Sequence, residues 1–206
     1  MKQTTLPAKR SAGRPRAFDR GQALAIALDL FWRHGFDGTT IPQLTTAMGI
    51  SPPSLYAAFG SKDALYREAV KLYLTRYSVV LDCLFDESIS AREAVEQGLL
   101  AIVKLLSEPG HAHGCMISSA ELQTATGNES LAAEIAGYRK AAKQAVHTRL
   151  ETACKAGELP GKTDTATLAA FFAMVTQGMS VQALDGADAA MLKRLVKLAM
   201  AAWPLQ

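Results

Sequence analysis

The chain has 206 residues, enough for one large or two small domains, and 49% of them are apolar while only 7% are aromatic. That balance, rich in Ala and Leu, suits helix packing, and no alternating strand pattern interrupts it. No apolar run approaches the ~18 residues of a membrane span, and the basic start lacks the apolar core of a secretion signal.

The three cysteines, Cys83, Cys115 and Cys154, are odd in number and widely spaced. They argue against a disulfide framework and for a reducing cytoplasm. The net charge of +3 is unevenly spread. Residues 1–20 hold Lys2, Lys9, Arg10, Arg14, Arg16 and Arg20 against Asp19 alone, which is +5, so the other 186 residues sum to −2. A basic arm is either a solvated tail or a device that follows phosphates, and only its neighbours decide between the two.

From Phe18 the pattern turns helical: Ala23, Ile26, Ala27, Leu30 and Phe31 recur at helical spacing, and Gly35 ends the run after His34. Phe36, bracketed by Gly35 and Gly38, is expected to tuck into the same small core. Thr40 can cap a second helix with Pro42 in its opening turn, and Leu44, Ala47 and Met48 form an apolar face. Gly49 supplies the left-handed residue that ends it. Ser51 caps a third helix, with Leu55 and Phe59 inward, before Gly60 stops it and Ser61 caps a fourth. Two short helices joined by a glycine-containing turn can place the second helix in a DNA major groove. Arg14 and Arg16 would then lie beside a duplex, within reach of a minor groove.

The segment GRPRAFDRGQALAIALDLFWRHGFDGTTIPQLTTAMGISPPSLYAAFGSKDALYREAV, residues 13–70, resembles the N-terminal DNA-binding domain of the TetR family of transcriptional repressors without a gap. The glycine after the first helix, the Thr pair, the MGIS turn and SLYAAFGSK carry the likeness. The resemblance implies an all-α fold of about nine helices: a three-helix helix-turn-helix head followed by a helical domain that binds a small molecule and dimerises. It divides the chain into a basic arm (1–16), a DNA-binding head (17–62) and an effector-binding and dimerisation part (63–206). The family's partners are operator DNA, a small-molecule effector and a second copy of the chain, with no cofactor and no membrane. Positions matching Tyr56 and Lys62 usually touch phosphate in the family. Thr40 suits a phosphate at a helix N-terminus, and Gln43, Ser51 and Ser54 are candidates for base edges or nearby phosphates. The third helix carries no Arg, Asn or Gln, so direct base readout is expected to be sparse and DNA shape to matter more.

A fourth helix is expected to run unbroken over 62–85, apolar on two sides and buried between two partners. It suits a lever between an effector pocket and the head. Tyr73, Tyr77, Phe85, Ile102, Met116 and Tyr138 are candidate pocket residues, each with ordinary core packing as the alternative. A fifth helix is expected over 91–107. The segment HAHGCMISSAEL then brings His111, His113 and Cys115 together, all of metal-ligand type, though no fourth ligand and no standard zinc spacing accompanies them. Cys115 has three open readings: a packing residue, a thiol sensor at a helix N-terminus, or a metal ligand with the two histidines.

Helices over 115–126, 130–156, 163–184 and 188–203 complete the chain. The last two carry surplus apolar surface, and the family pairs such helices into a four-helix dimer interface. Phe171, Val175, Met179, Leu192, Leu195, Val196 and Ala199 are the candidates there. Enzyme readings lack support. There is no phosphate-binding glycine loop, dinucleotide fingerprint, HExxH or nucleophile elbow. A purely architectural DNA protein is the remaining alternative, and it predicts a filled core where a regulator predicts a cavity beside the fourth helix.

Overall fold

The computed structural model describes residues 18–110, 112–118 and 128–204, and these are helical with no strand among them. The elements are α1 (Arg20–Gly38), α2 (Ile41–Met48), α3 (Pro52–Phe59), α4 (Lys62–Thr75), α5 (Ser78–Phe85), α6 (Ala91–Leu106), α7 (Glu129–Lys155), α8 (Thr165–Leu184) and α9 (Ala189–Met200). Residues 116–118 are also helical. The helix expected over 115–126 otherwise lies outside the described residues, as does the arm with Arg14 and Arg16.

Local chemistry sets most boundaries. Asp19, Ser51, Ser61, Ser90, Asn128, Asp164 and Asp188 each accept a backbone N–H two or three residues into the following helix. Gly35 sits at φ 71°, ψ 178°, so α1 stops there and only one further turn follows. That turn lodges Phe36 in the core and lets the buried Thr39 hydroxyl donate to the Gly35 carbonyl at 2.7 Å. Gly49 is left-handed at φ 66°. Within α2, Ala47 is exposed rather than inward, and the buried face is Leu44 and Thr45.

The long fourth helix is two helices. Arg76 N–H and Tyr77 N–H donate to carbonyls only three residues back, at 3.0 Å each, so the chain tightens and changes direction between α4 and α5. The Thr75 hydroxyl donates to Leu72 O at 2.7 Å and the Ser78 hydroxyl to Thr75 O at 3.0 Å. Both compete with the backbone for helix carbonyls, which accounts for the break.

One hydrophobic cluster runs through the molecule. Around α1–α4 it is built on Phe31, Phe36 and Tyr66, whose rings meet edge to face at 5.0 and 5.2 Å. α5 lies against α6, α7 against α8, and α9 covers α6 and α8. Polar ties from α1 and α4 to later parts of the chain include Arg67 to Glu134 at 2.7 Å, Asn128 to Asp63 at 2.5 Å, and Trp32 Nε1 to Gly114 O at 3.2 Å.

Candidate DNA interface and regulatory cavity

The exposed side of α2 and α3 carries Thr40, Gln43, Ser51, Tyr56 and Ala57, with Ser54 half-buried beside them. Thr40 and Gln43 form a reciprocal cap: Thr40 N–H donates to Gln43 Oε1 at 2.7 Å, and Gln43 N–H to Thr40 Oγ1 at 3.4 Å. The Gln43 amide is therefore turned back on the helix start, and reaching a base requires it to release Thr40. Ser51 and Ser54 hydroxyls lie 2.9 Å apart. Tyr56 projects with 46% of its surface exposed and no described partner.

Lys62 leans its ammonium over the Phe36 ring at 4.2 Å, and partial burial lowers its pKa from the ordinary lysine value. Its charge is thereby held at the start of α4. Arg20, one of the basic residues of the 1–20 stretch, is bound into the head: it stacks over Phe59 at 4.5 Å and pairs with Glu68 of α4 at 2.7 Å.

A cavity of about 470 Å³ lies beside α4 and α5, bounded also by α6, α7, α8 and the segment 115–118. Its volume falls in the range of small-molecule sites. Of the candidate pocket residues, Tyr73, Tyr77, Phe85, Ile102 and Tyr138 line it. Met116 does not: its side chain is buried elsewhere in the core, and its backbone N–H donates to Tyr73 Oη at 3.2 Å. Arg139, Lys143, Thr176 and Gln177 also face the cavity and were not anticipated. Their signal, polar side chains one turn apart on otherwise apolar helix faces, is hard to tell from ordinary surface.

Cys115 lines the same cavity. Its sulfur hydrogen-bonds with Tyr73 and Tyr77, whose hydroxyls are 2.7 Å from each other. Burial pushes both phenols well above the ordinary tyrosine range, and the neighbouring Cys115 adds to the shift. His113 is exposed whereas Cys115 is buried, and His111 lies outside the described residues. Among the described residues no three His, Cys, Asp or Glu side chains converge as a metal site would need.

At the far end, the expected interface residues divide. Leu192 and Val196 are 0% and 1% exposed and spend their surface inside the protomer, between α9 and its neighbours. Met179 and Ala199 are also buried, though they floor a shallow groove with Phe171, Val175 and Leu195. The residues that stand out are others: Leu198 at 70% exposed and Met174 at 61%. The stretch Thr165–Leu184 has a mean hydropathy of 1.3, enough by length and composition to cross a membrane, although Thr176, Gln177 and Ser180 interrupt it. Only 28% of it is buried within the protomer.

The sequence matches the family described as bacterial regulatory proteins, tetR family, over residues 23–69, and the tetracyclin repressor-like C-terminal domain over 93–198. It is 29% identical over 197 residues to the HTH-type transcriptional repressor ComR of Escherichia coli, covering 95% of this chain and 94% of that one. It is 34% identical to the repressor BdcR of the same organism over 116 residues, 56% of each chain. The solved structure of a cysteine mutant of the TetR family regulator CifR, complexed with double-strand operator DNA, superposes with a TM-score of 0.86. The two are 39% identical, over 93% of this chain and all of that one. Two matched domains and a near full-length fold agree, so the chain belongs to the TetR family: it is a helix-turn-helix transcriptional regulator that binds duplex DNA, not an enzyme.

Proposed function

We propose that the protein is a homodimeric repressor that a small molecule releases from its operator in the cytoplasm, with the chain dividing into arm (1–16), head (17–62) and effector-binding and dimerisation part (63–206). The observation that carries this reading is the cavity of about 470 Å³ beside α4 and α5, since α4 is also the helix on which the head is built. An architectural DNA protein has no use for such a space. A ligand there shifts the spacing of two heads only by binding one spacing more tightly than the other.

In this reading Tyr56, Thr40 and Lys62 hold phosphates, and Ser51, Ser54 and, once uncapped, Gln43 reach base edges or nearby phosphates. Arg14 and Arg16 follow the minor groove. The half-exposed apolar face of α8, with Leu198 of α9, supports pairing with a second copy. The chemistry of Cys115 supports a second reading of the trigger. Its thiol, facing the cavity beside two phenols, is placed to be alkylated or oxidised by what enters. Cys115→Ser separates the two: it abolishes a response to oxidant or electrophile and spares a response to a reversible ligand.

Selection of bound duplexes from a random pool tests the main reading. It is expected to recover an inverted repeat with half-site centres about one helical turn apart, roughly 34–36 Å, or a little more. The binding species should have twice the 22.0 kDa chain mass. A monomer that recovers no inverted repeat overturns it.

A further inference from the structure

We propose that Arg20 sets the pose of α3 against the duplex, which makes it a specificity-determining positioning residue rather than a phosphate contact. The proposal rests on the reading of α3 as the helix that meets DNA, and adds to it the group that fixes its tilt. α3 has eight residues and buries only Leu55 and Phe59. Its start is self-contained: the Ser51 side chain accepts from Ser54 N–H at 3.4 Å, and Ser51 O accepts from Leu55 N–H at 3.1 Å. Its end is held from outside.

The last turn of a helix leaves carbonyls that no N–H of the same helix can reach. Here Tyr56 O accepts from Gly60 N–H at 2.8 Å and Phe59 O from Ser61 N–H at 3.0 Å, both within the local chain. Ala58 O accepts instead from Arg20 Nε at 3.3 Å, a donor 38 residues earlier. α3 has no basic residue in its own last turn, so Arg20 also supplies the positive charge that a helix C-terminus favours. The guanidinium is fixed on two further sides. Its Cζ lies 4.5 Å from the centre of the Phe59 ring, and its Nη2 donates to Glu68 Oε1 at 2.7 Å. One planar group thus joins the first residue of α1 to the end of α3 and to α4, which a compact ammonium lacks the fork to do.

The contribution to stability is small, because the ion pair joins side chains 50% and 34% exposed. Orientation is the larger consequence. The exposed side of α3 offers Ser51, Tyr56 and Ala57, with Ser54 half-buried beside them. Short side chains such as Ser51, Ser54 and Ala57 touch base edges only within a narrow range of tilt, whereas attraction to phosphates survives a wide one. Loss of the clamp therefore lowers discrimination between sequences and spares general affinity for DNA.

The test uses the full-length protein and two duplexes of equal length: the sequence that the unmodified chain selects from a random pool, and a scrambled version of it. R20K keeps the charge and loses the fork. It should lower the ratio of the two affinities about tenfold, with scrambled-duplex affinity, salt slope and melting temperature nearly unchanged. E68Q removes the anchor and leaves Arg20 in place, and it should lower the ratio in the same direction. An R20K ratio equal to that of the unmodified chain refutes the proposal, as does an E68Q chain that binds both duplexes more tightly in equal measure, since a freed phosphate contact behaves in that way. Equal loss on both duplexes with a lower melting temperature refutes it too, leaving Arg20 a residue of the fold alone. A pool from which no sequence is enriched leaves no discrimination to set and overturns it. A57E, a carboxylate on the exposed side of α3, should abolish binding to both duplexes. If A57E binds them as the unmodified chain does, α3 does not meet the duplex, and that reading fails together with the proposal.

Discussion

Trp32 Nε1 donates to Gly114 O across 3.2 Å of buried space, joining the helix that backs the DNA head to the residue before Cys115. The same indole meets the Tyr73 ring edge to face at 4.9 Å, and Tyr73 Oη accepts from Met116 N–H. The cavity wall and the head thus share one set of contacts. A ligand that displaces the 115–118 segment or Tyr73 has to move Trp32 or break its bond.

Trp32→Phe removes the donor and keeps most of the apolar bulk. Gly114 O is left without that partner, which should cost about 1–3 kcal/mol in urea unfolding. Operator affinity of the unliganded protein should change little, because the described contacts of the indole, Gly114, Tyr73 and Arg76, lie outside α2 and α3. Release by ligand should weaken, read as a smaller ratio of operator affinities without and with a saturating probe. Coupling is reciprocal, so the operator should equally lose its effect on probe binding. An unchanged ratio in both directions would show that the signal bypasses this bond.

Gly114→Ala tests how tightly that segment is set. Gly114 is left-handed at φ 78°, and a Cβ there would lie 2.5 Å from Leu184 Cγ. Backbone strain and the clash together should destabilise by about 2–4 kcal/mol. Leu184→Ala in the same chain relieves the clash but not the strain, so the double variant should recover only part of the loss. Full recovery in a thermal-melt cycle would mean that the left-handed backbone costs nothing here.

How much of this could be read from sequence depends on whether the signal was local. Thr40, Gly49, Ser51 and Ser61 act within three or four residues of themselves, and each does in space what its spacing predicts. The break at Arg76–Tyr77 was hidden, because residues 72–80 are all tolerable in a helix and only the hydroxyls of Thr75 and Ser78 tip the balance. The cavity was half visible. Tyr73, Tyr77, Phe85, Ile102 and Tyr138 could be named because aromatic and branched residues on α4–α7 must face something. Whether they meet other side chains or open space depends on how five elements stand apart, and no single stretch encodes that. For the same reason the apolar stripe of α9 points to Leu192 and Val196 as partner surface, whereas both are protomer core: a helix stripe shows which face is apolar, not which neighbour covers it.

The head should come apart at high pH. Burial, with the nearby Asp37 carboxylate, raises the Tyr66 pKa to about 12, against an ordinary value of 10.0. Below pH 10 the phenol is neutral in both folded and unfolded chains, and its contribution to stability is fully present. Above that the unfolded chain loses the proton first, so it binds fewer protons and stability falls until pH passes about 12. The loss attributable to Tyr66 is about 2–3 kcal/mol over that window. Tyr66→Phe should flatten part of the fall in a pH series of urea midpoints, and an unchanged slope would place the phenol in water.

Tyr56→Phe and Lys62→Gln should weaken DNA binding in distinguishable ways. The tyrosine hydroxyl is uncharged, so its loss should reduce affinity for operator and random duplex alike, by about 1 kcal/mol, with the salt dependence unchanged. Lys62 carries a charge fixed over Phe36, and its loss should lower the slope of log affinity against log salt by about one. If Tyr56→Phe hurts only the operator, Tyr56 reads bases.

Leu198→Glu should abolish the proposed pairing of two copies. Leu198 is 70% exposed on α9 in the protomer, so a carboxylate there is harmless to the isolated chain. At a two-fold interface the same change acts from both sides, burying two like charges against the apolar groove of Phe171, Val175 and Leu195. Light scattering should then fall to the 22.0 kDa of one chain, with the melting temperature of the protomer core barely moved. Operator affinity should drop with it, since one head alone reads one half-site and loses the gain from tethering the second. Leu192→Glu is the informative contrast. Its side chain is fully buried within the protomer, so it should unfold the C-terminal helices rather than separate two folded copies. A Leu198→Glu chain that stays dimeric would move the interface to another face and leave the bare side of α8 unexplained.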